Sequence, residues 1–216
     1  MKRLILLLVP AVMGTVLFVS AGRLDLPFFW IMLAATTLVM QAGFSGVDPD
    51  LMKERWRPGP GGVDRHLRWL AIPPLIAQLV VAGLDAGRYQ WSAPMPAYVK
   101  TAAIVLCCAG TLLSGWAMRV NRFFSPVVRI QEERGHKLVT DGPYRFVRHP
   151  GYVGSLLAWP CFCIALGSWW SMLALAPALV LIVRRAAIED RYLHQHLPGY
   201  AEYARQVRWR LVPGVW

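Results

Sequence analysis

Two stretches of this chain carry side chains able to act on a small molecule, His136 to Gly154 and Arg185 to Tyr192. The first, HKLVTDGPYRFVRHPGYVG, sets His136, Tyr144, His149 and Tyr152 among turn formers: Asp141-Gly142-Pro143, then His149-Pro150-Gly151. In the second, Arg185 and Glu189 are four residues apart and Tyr192 follows three later, so all three project from one face of a helix. A cation, a carboxylate, a histidine and several rings, converging among apolar residues, are the usual makings of a small-molecule pocket. The four cysteines do not extend that chemistry. Cys107-Cys108 and Cys161 with Cys163 lie in apolar runs and lack zinc-like spacing to histidine, so they read as structural thiols, with no metal and no disulfide.

The elements that must position these residues are hydrophobic. Of the 216 residues 56% are hydrophobic and 16% charged, and long uncharged runs place the chain in the membrane class. Spans are expected at about 4–22, 26–44, 69–84, 98–120, 152–166 and 170–185. From Pro150 to Val183 there is no charge at all. As one helix that run would reach about 50 Å, too long for a single crossing. Gly167-Ser168-Trp169-Trp170 breaks it into a helical hairpin with interfacial aromatics. The hairpin brings Tyr152, at its start, close to Arg185 and Glu189, at its end.

Beyond the hairpin the last helix should extend into water, break at Pro198-Gly199 and resume as a short amphipathic helix. There Tyr200, Tyr203 and Val207 share a face, while Arg205, Arg208 and Arg210 meet headgroups. Residues 45–68 read as a polar loop, since Pro58-Gly59-Pro60-Gly61-Gly62 resists helix formation. That loop is either a lid over the pocket or a solvated connection. The first apolar run, with Lys2 and Arg3 before it and Val19-Ser20-Ala21 near its end, also resembles a signal peptide. A retained helix is expected, because five further spans follow. Two regions result: 1–120 with four spans, and 121–216 with the connector, hairpin and tail.

The net charge of +11 comes from 23 Lys+Arg against 12 Asp+Glu. These cations cluster beside apolar spans, which fits lipid headgroups and topology and argues against nucleic acid as a partner. With six spans, 20 of the 23 basic residues fall on the side of the termini and only Arg23, Arg88 and Lys100 on the other. The positive-inside rule then makes both termini, the connector and the tail cytoplasmic, in a bacterial inner membrane or its equivalent.

Taken together, HKLVTDGPY at 136–144, RHPGYVG at 148–154 and ED..L....PGY..Y from Glu189 to Tyr203 resemble the isoprenylcysteine carboxyl methyltransferase family, with phospholipid N-methyltransferases as broader relatives. The likeness covers about the C-terminal 90 residues. It implies an all-α integral membrane enzyme with a small cytoplasmic C-terminal cap. The implied methyl donor is S-adenosylmethionine, bound without the GxGxxG of soluble methyltransferases, a motif this chain lacks. By the same likeness His136, Lys137, Leu138, Val139, Tyr144, His149, Pro150, Gly151, Tyr152 and Glu189 contact the cofactor, with Gln131 as the upstream glutamine. Arg185 stands where the acceptor carboxylate is held, and Arg185 and His149 are the candidate catalytic residues.

The implied acceptor is lipophilic: a prenylated protein, an isoprenoid acid, a phospholipid amine or a small thiol. Membrane lipids are the other partners, and no metal is implied. Two rival readings remain from the residues. One is an NADPH-dependent sterol-reductase-like enzyme with a similar RHP motif and tail. The other is a membrane scaffold or transporter, against which stands the lack of charges in the interiors of the assigned spans, away from their ends.

Overall fold

The computed structural model describes the backbone from Lys2 to Trp216 and the side chains from Leu7 onward. Among the described residues the chain is helical, without strands. Its helices are α1 (Lys2–Ala21), α2 (Pro27–Phe44), α3 (Pro49–Trp56), α4 (Arg65–Leu70), α5 (Ile72–Ala82), α6 (Ala97–Val120), α7 (Pro150–Leu166), α8 (Trp169–His196) and α9 (Tyr200–Gln206). A π-helical segment, Gly83–Tyr89, prolongs α5.

Four stretches are long and apolar enough to cross a membrane: Pro27–Phe44, Arg65–Tyr89, Ala97–Val120 and Trp169–His196. This makes a multi-pass membrane protein. The runs Leu7–Ala21 and Pro150–Leu166, where two more spans are expected, form apolar helices of lesser length. Large apolar side chains stay exposed along the bundle, among them Leu38, Val105, Leu173 and Val180. In lipid these need no burial.

Local chemistry sets most boundaries. Proline stands in the first turn of α2, α3, α5 and α7, where its missing N–H costs nothing. Gly167 ends α7 in the left-handed region at φ 79°, and Ser168 caps α8 by accepting from the Ser171 amide. The hairpin turn is therefore where the sequence puts it. The third span differs: it starts earlier and runs later than 69–84. The π segment carries Asp85 into a fully buried position, where its carboxylate accepts from the Ser92 amide and from the hydroxyls of Ser92 and Ser168. That bond ties the hairpin turn to the loop after α5. Residues 45–68 are not all loop either, since α3 forms behind an Asp48 cap and α4 begins at Arg65. The last helix does extend past the apolar run, to His196.

Helix contacts in the middle of the bundle depend on small residues. A Cβ on Gly154 of α7 would lie 2.4 Å from the Gly110 carbonyl oxygen and 2.4 Å from Ser114 Oγ of α6. Backbone cannot yield as a flexible side chain does. Gly154→Ala is expected to destabilise the bundle by about 1–3 kcal/mol, read as a lower unfolding midpoint in detergent. An unchanged midpoint would contradict this packing.

Candidate active site

The connector between α6 and α7 has little regular structure, so side chains must hold its shape. Arg129 is buried and binds Glu54 of α3 at 2.9 Å and Glu133 at 2.5 Å. Burial alone would raise the Glu54 carboxyl. The Arg129 guanidinium, the Gly59 amide and the Ser125 hydroxyl hold it below its usual value instead. Asp64 Oδ1 accepts from the Val128 amide at 2.6 Å, and the Val63 amide donates to the Val128 carbonyl. Residues 54–64 thus pack on the connector as a covering segment.

Gln131 is fully buried. Its amide nitrogen donates to the Phe123 carbonyl at 2.7 Å and its oxygen accepts from Arg134, so it braces the connector and does not line the cleft. The Gln131 backbone amide donates to His136 Nδ1, and the His136 ring stacks on Phe123 with centroids 4.5 Å apart. Burial, then the nearby Arg129 and Arg134, push His136 down to about 4. In the unfolded chain the ring binds a proton near pH 6.5; in the fold it does not until about pH 4. Its share of stability is therefore full above pH 6.5 and is lost as pH falls toward 4. We expect the unfolding midpoint to drop across that window and His136→Asn to flatten the drop. A pH dependence identical in both proteins would contradict the assignment.

The next anchor is Asp190 of α8, fully buried. It accepts from Arg148 Nε at 2.7 Å, Arg210 Nε at 2.7 Å and the Tyr200 hydroxyl at 2.9 Å, with His149 Nε2 at 3.3 Å. The same Arg148 donates to the carbonyls of Val207 and Arg208, each at 2.9 Å. The amides of Arg148 and His149 donate to the carbonyls of Trp209 and Arg210. The tail after α9 is thereby folded back on the RHP turn. Of the arginines expected to meet headgroups, Arg210 pairs with Asp190 and Arg205 with exposed Glu202. Tyr200 and Tyr203 do share a buried face, and the Tyr203 hydroxyl donates to the Tyr144 carbonyl at 2.7 Å.

These anchors leave a narrow cleft of about 60 Å³. His136, Lys137, Leu138, Val139, Tyr144, His149, Gly151, Tyr152 and Glu189 all line it; Gln131 and Pro150 do not. Tyr152 closes one side. Its hydroxyl donates to Glu189 and accepts from Arg185 Nε at 2.8 Å. Arg185 lies past that tyrosine, in a second cavity of about 240 Å³, with Asp64 Oδ2 3.3 Å from its Nε. The two cavities share Phe124, Ser125, Gly151 and Tyr152 as a common wall. A Cβ on Gly151 would stand 2.4 Å from the Phe124 ring, so only glycine lets that ring form the wall. The second cavity in turn shares Ser114, Met118, Ser155 and Trp159 with an apolar groove of about 570 Å³ between α1, α2, α5, α6 and α7.

Several of these residues escape sequence reading. Asp64 and Glu54 carry no local signal, because their partners Arg185 and Arg129 are far along the chain. Asp190 sits inside the quoted ED pair, beside Glu189, and the sequence does not single it out. It is a fully buried carboxylate with four partners within 3.3 Å. Among the described residues no group of three or more potential metal ligands occurs.

A family model described as phospholipid methyltransferase matches residues 99–198, the stretch from α6 to the end of α8. The protein-S-isoprenylcysteine O-methyltransferase of Schizosaccharomyces pombe is 32% identical over 111 residues, covering 50% of this chain and 47% of that protein. The cobalt-zinc-cadmium resistance protein CzcN of Cupriavidus metallidurans is 31% identical over 158 residues, 68% of each chain. A probable protein-S-isoprenylcysteine O-methyltransferase of Oryza sativa subsp. japonica is 33% identical over 113 residues, 51% of this chain and 59% of that one. The chain thus spans about half the length of the first of these relatives and somewhat more of the rice protein.

Proposed function

Because this chain belongs to the isoprenylcysteine carboxyl methyltransferase family, we propose that it is a membrane methyltransferase that moves a methyl group from S-adenosylmethionine to a carboxylate on a lipophilic acceptor. The observation that carries this reading is the order of the cavities. A polar cleft, a cationic chamber and an apolar groove follow one another through shared walls. That order suits a polar methyl donor, an anionic reacting group and a hydrocarbon tail lying along the bundle.

The cleft fits the donor by its chemistry. The half-buried Glu189 carboxylate suits ribose hydroxyls or an amino group, and exposed Lys137 suits a carboxylate. Leu138, Val139, Leu193 and Leu197 offer apolar surface to a base. The rings of Tyr144 and Tyr152 suit a sulfonium through their π faces. When bound, S-adenosylmethionine supplies a methyl group already activated on sulfur, so transfer to a carboxylate oxygen needs alignment and exclusion of water and no proton transfer.

The chain's own residues meet those needs. Arg185 holds the acceptor's carboxylate by charge and hydrogen bonds, and Tyr152 fixes Arg185 and Glu189 relative to each other across the shared wall. His149 reaches the cleft with its Nε2 directed at Asp190 and acts by shaping the donor site. No general base is required. Residues 121–216 supply the donor cleft, and 1–120 supply most of the groove together with Asp64. With the basic residues setting topology, the site faces the cytoplasm, in a bacterial inner membrane or its equivalent.

The reading is tested by incubating the purified protein with methyl-labelled donor and chain-matched acids, amines and thiols, among them an acylated farnesylcysteine. Label in a base-labile methyl ester supports it. Label found only in amine or thiol products would replace the carboxylate with another acceptor.

A further inference from the structure

The cationic chamber holds more positive charge than one acceptor ligand explains. Arg185 is engaged by the Tyr152 hydroxyl, the Ser125 carbonyl and Asp64. Arg68, on the same chamber, lies over the Trp69 ring at 4.8 Å and reaches the Trp56 carbonyl at 3.5 Å. Arg55, the third guanidinium, is half-buried against the chamber and makes no hydrogen bond or ion pair among the described residues. It lies over the face of Phe124, 5.5 Å from the ring centroid, and that ring is part of the wall toward the donor cleft. Burial, then Arg185 and Arg68, lower the Arg55 guanidinium to about 10, so the three cations do crowd one another. Two carboxylates act on Arg185, Asp64 at 3.3 Å and Glu189 through Tyr152, and among the described residues neither pairs with Arg55.

Cations are not gathered in a half-buried chamber without a counter-charge, and a planar guanidinium with five free donors is suited to a carboxylate or phosphate. From this geometry we infer that Arg55 of α3 is a second ligand for the acceptor's anionic end, so that the site selects amphiphiles with a negatively charged head and rejects amines. The inference rests on the reading above in naming the occupant as the acceptor. It adds a specificity residue from the N-terminal half, outside the 99–198 stretch that the family model covers.

The test needs no methyl donor, so it fails or succeeds independently of the methyltransferase reading. Purified protein in uncharged detergent is titrated with dodecanoate, dodecyl phosphate and dodecylamine, with binding read by displacement of a fluorescent fatty acid. The expected result is at least tenfold tighter binding of the two anions than of the amine. Arg55→Gln should lose about tenfold for the anions alone, and Arg55→Lys should keep most of the affinity. Phenylglyoxal modification of Arg55 in the unaltered protein, read by mass spectrometry, gives a second measure, with protection by dodecanoate expected. Equal anion affinity in Arg55→Gln, or no protection by dodecanoate, would overturn the inference. Protection by phosphatidylglycerol but not by dodecanoate would also overturn it, assigning Arg55 to bilayer headgroups.

Discussion

Asp190→Ala is expected to lower the unfolding midpoint of the purified protein more than any other single change in the site, and to expose the tail to trypsin after Arg205, Arg208 and Arg210. Asp190 is fully buried beneath Arg148, Arg210, Tyr200 and His149. Removing the carboxylate leaves the Arg148 guanidinium buried without its counter-charge, a change that typically costs about 3–5 kcal/mol. The loss also spreads, because Arg148 and the RHP turn hold the carbonyls of residues 207–210. Asp190→Asn keeps the shape and part of the hydrogen bonding but not the charge, and should fall between the two. If Asp190→Ala unfolds with the unaltered protein and its tail stays protected, this network is not what shapes the cleft.

Arg185→Ala should have the largest effect on turnover among variants that still bind the donor. Arg185 lies on the far side of Tyr152 from the donor cleft, which it does not line. Donor binding should therefore change little. An acceptor carboxylate freed from its guanidinium loses alignment, and misplacement of about 1 Å can cost about 100-fold in rate. The variant also leaves Asp64 without its cationic neighbour at 3.3 Å. Arg185→Ala combined with Asp64→Asn separates the two consequences: it should restore stability and leave turnover about 100-fold down. Recovery of turnover in the double variant would move the role of Arg185 from the acceptor to the fold.

How far the sequence reaches can be judged from particular residues. The hairpin was legible because Gly167-Ser168 interrupts an uncharged run too long for one helix, and hairpin geometry alone puts Tyr152 beside Arg185 and Glu189. Most of the cleft lining was legible through the HKLVTDGPY and RHPGYVG stretches, which fold as one connector. The direction of Gln131 was not legible, because spacing along an irregular connector does not fix it. Its side chain turns inward to Phe123 and Arg134. Asp85 was hidden because nothing in the GLDAGRY segment announces a π-helical extension of α5. The partnership of Asp64 with the connector, and of Glu54 with Arg129, joins residues more than sixty positions apart, and no local pattern encodes it.

Binding of S-adenosylmethionine in the cleft between the connector and α8 is the proposal on which the other roles depend. Its most direct test is calorimetric binding of S-adenosylmethionine, of its demethylated product and of NADPH to the detergent-purified protein, with Glu189→Ala and His149→Ala alongside. Micromolar-range binding of the first two is expected, weakened in both variants, with none of NADPH. Binding of NADPH alone, or of neither nucleotide by folded protein, would contradict it.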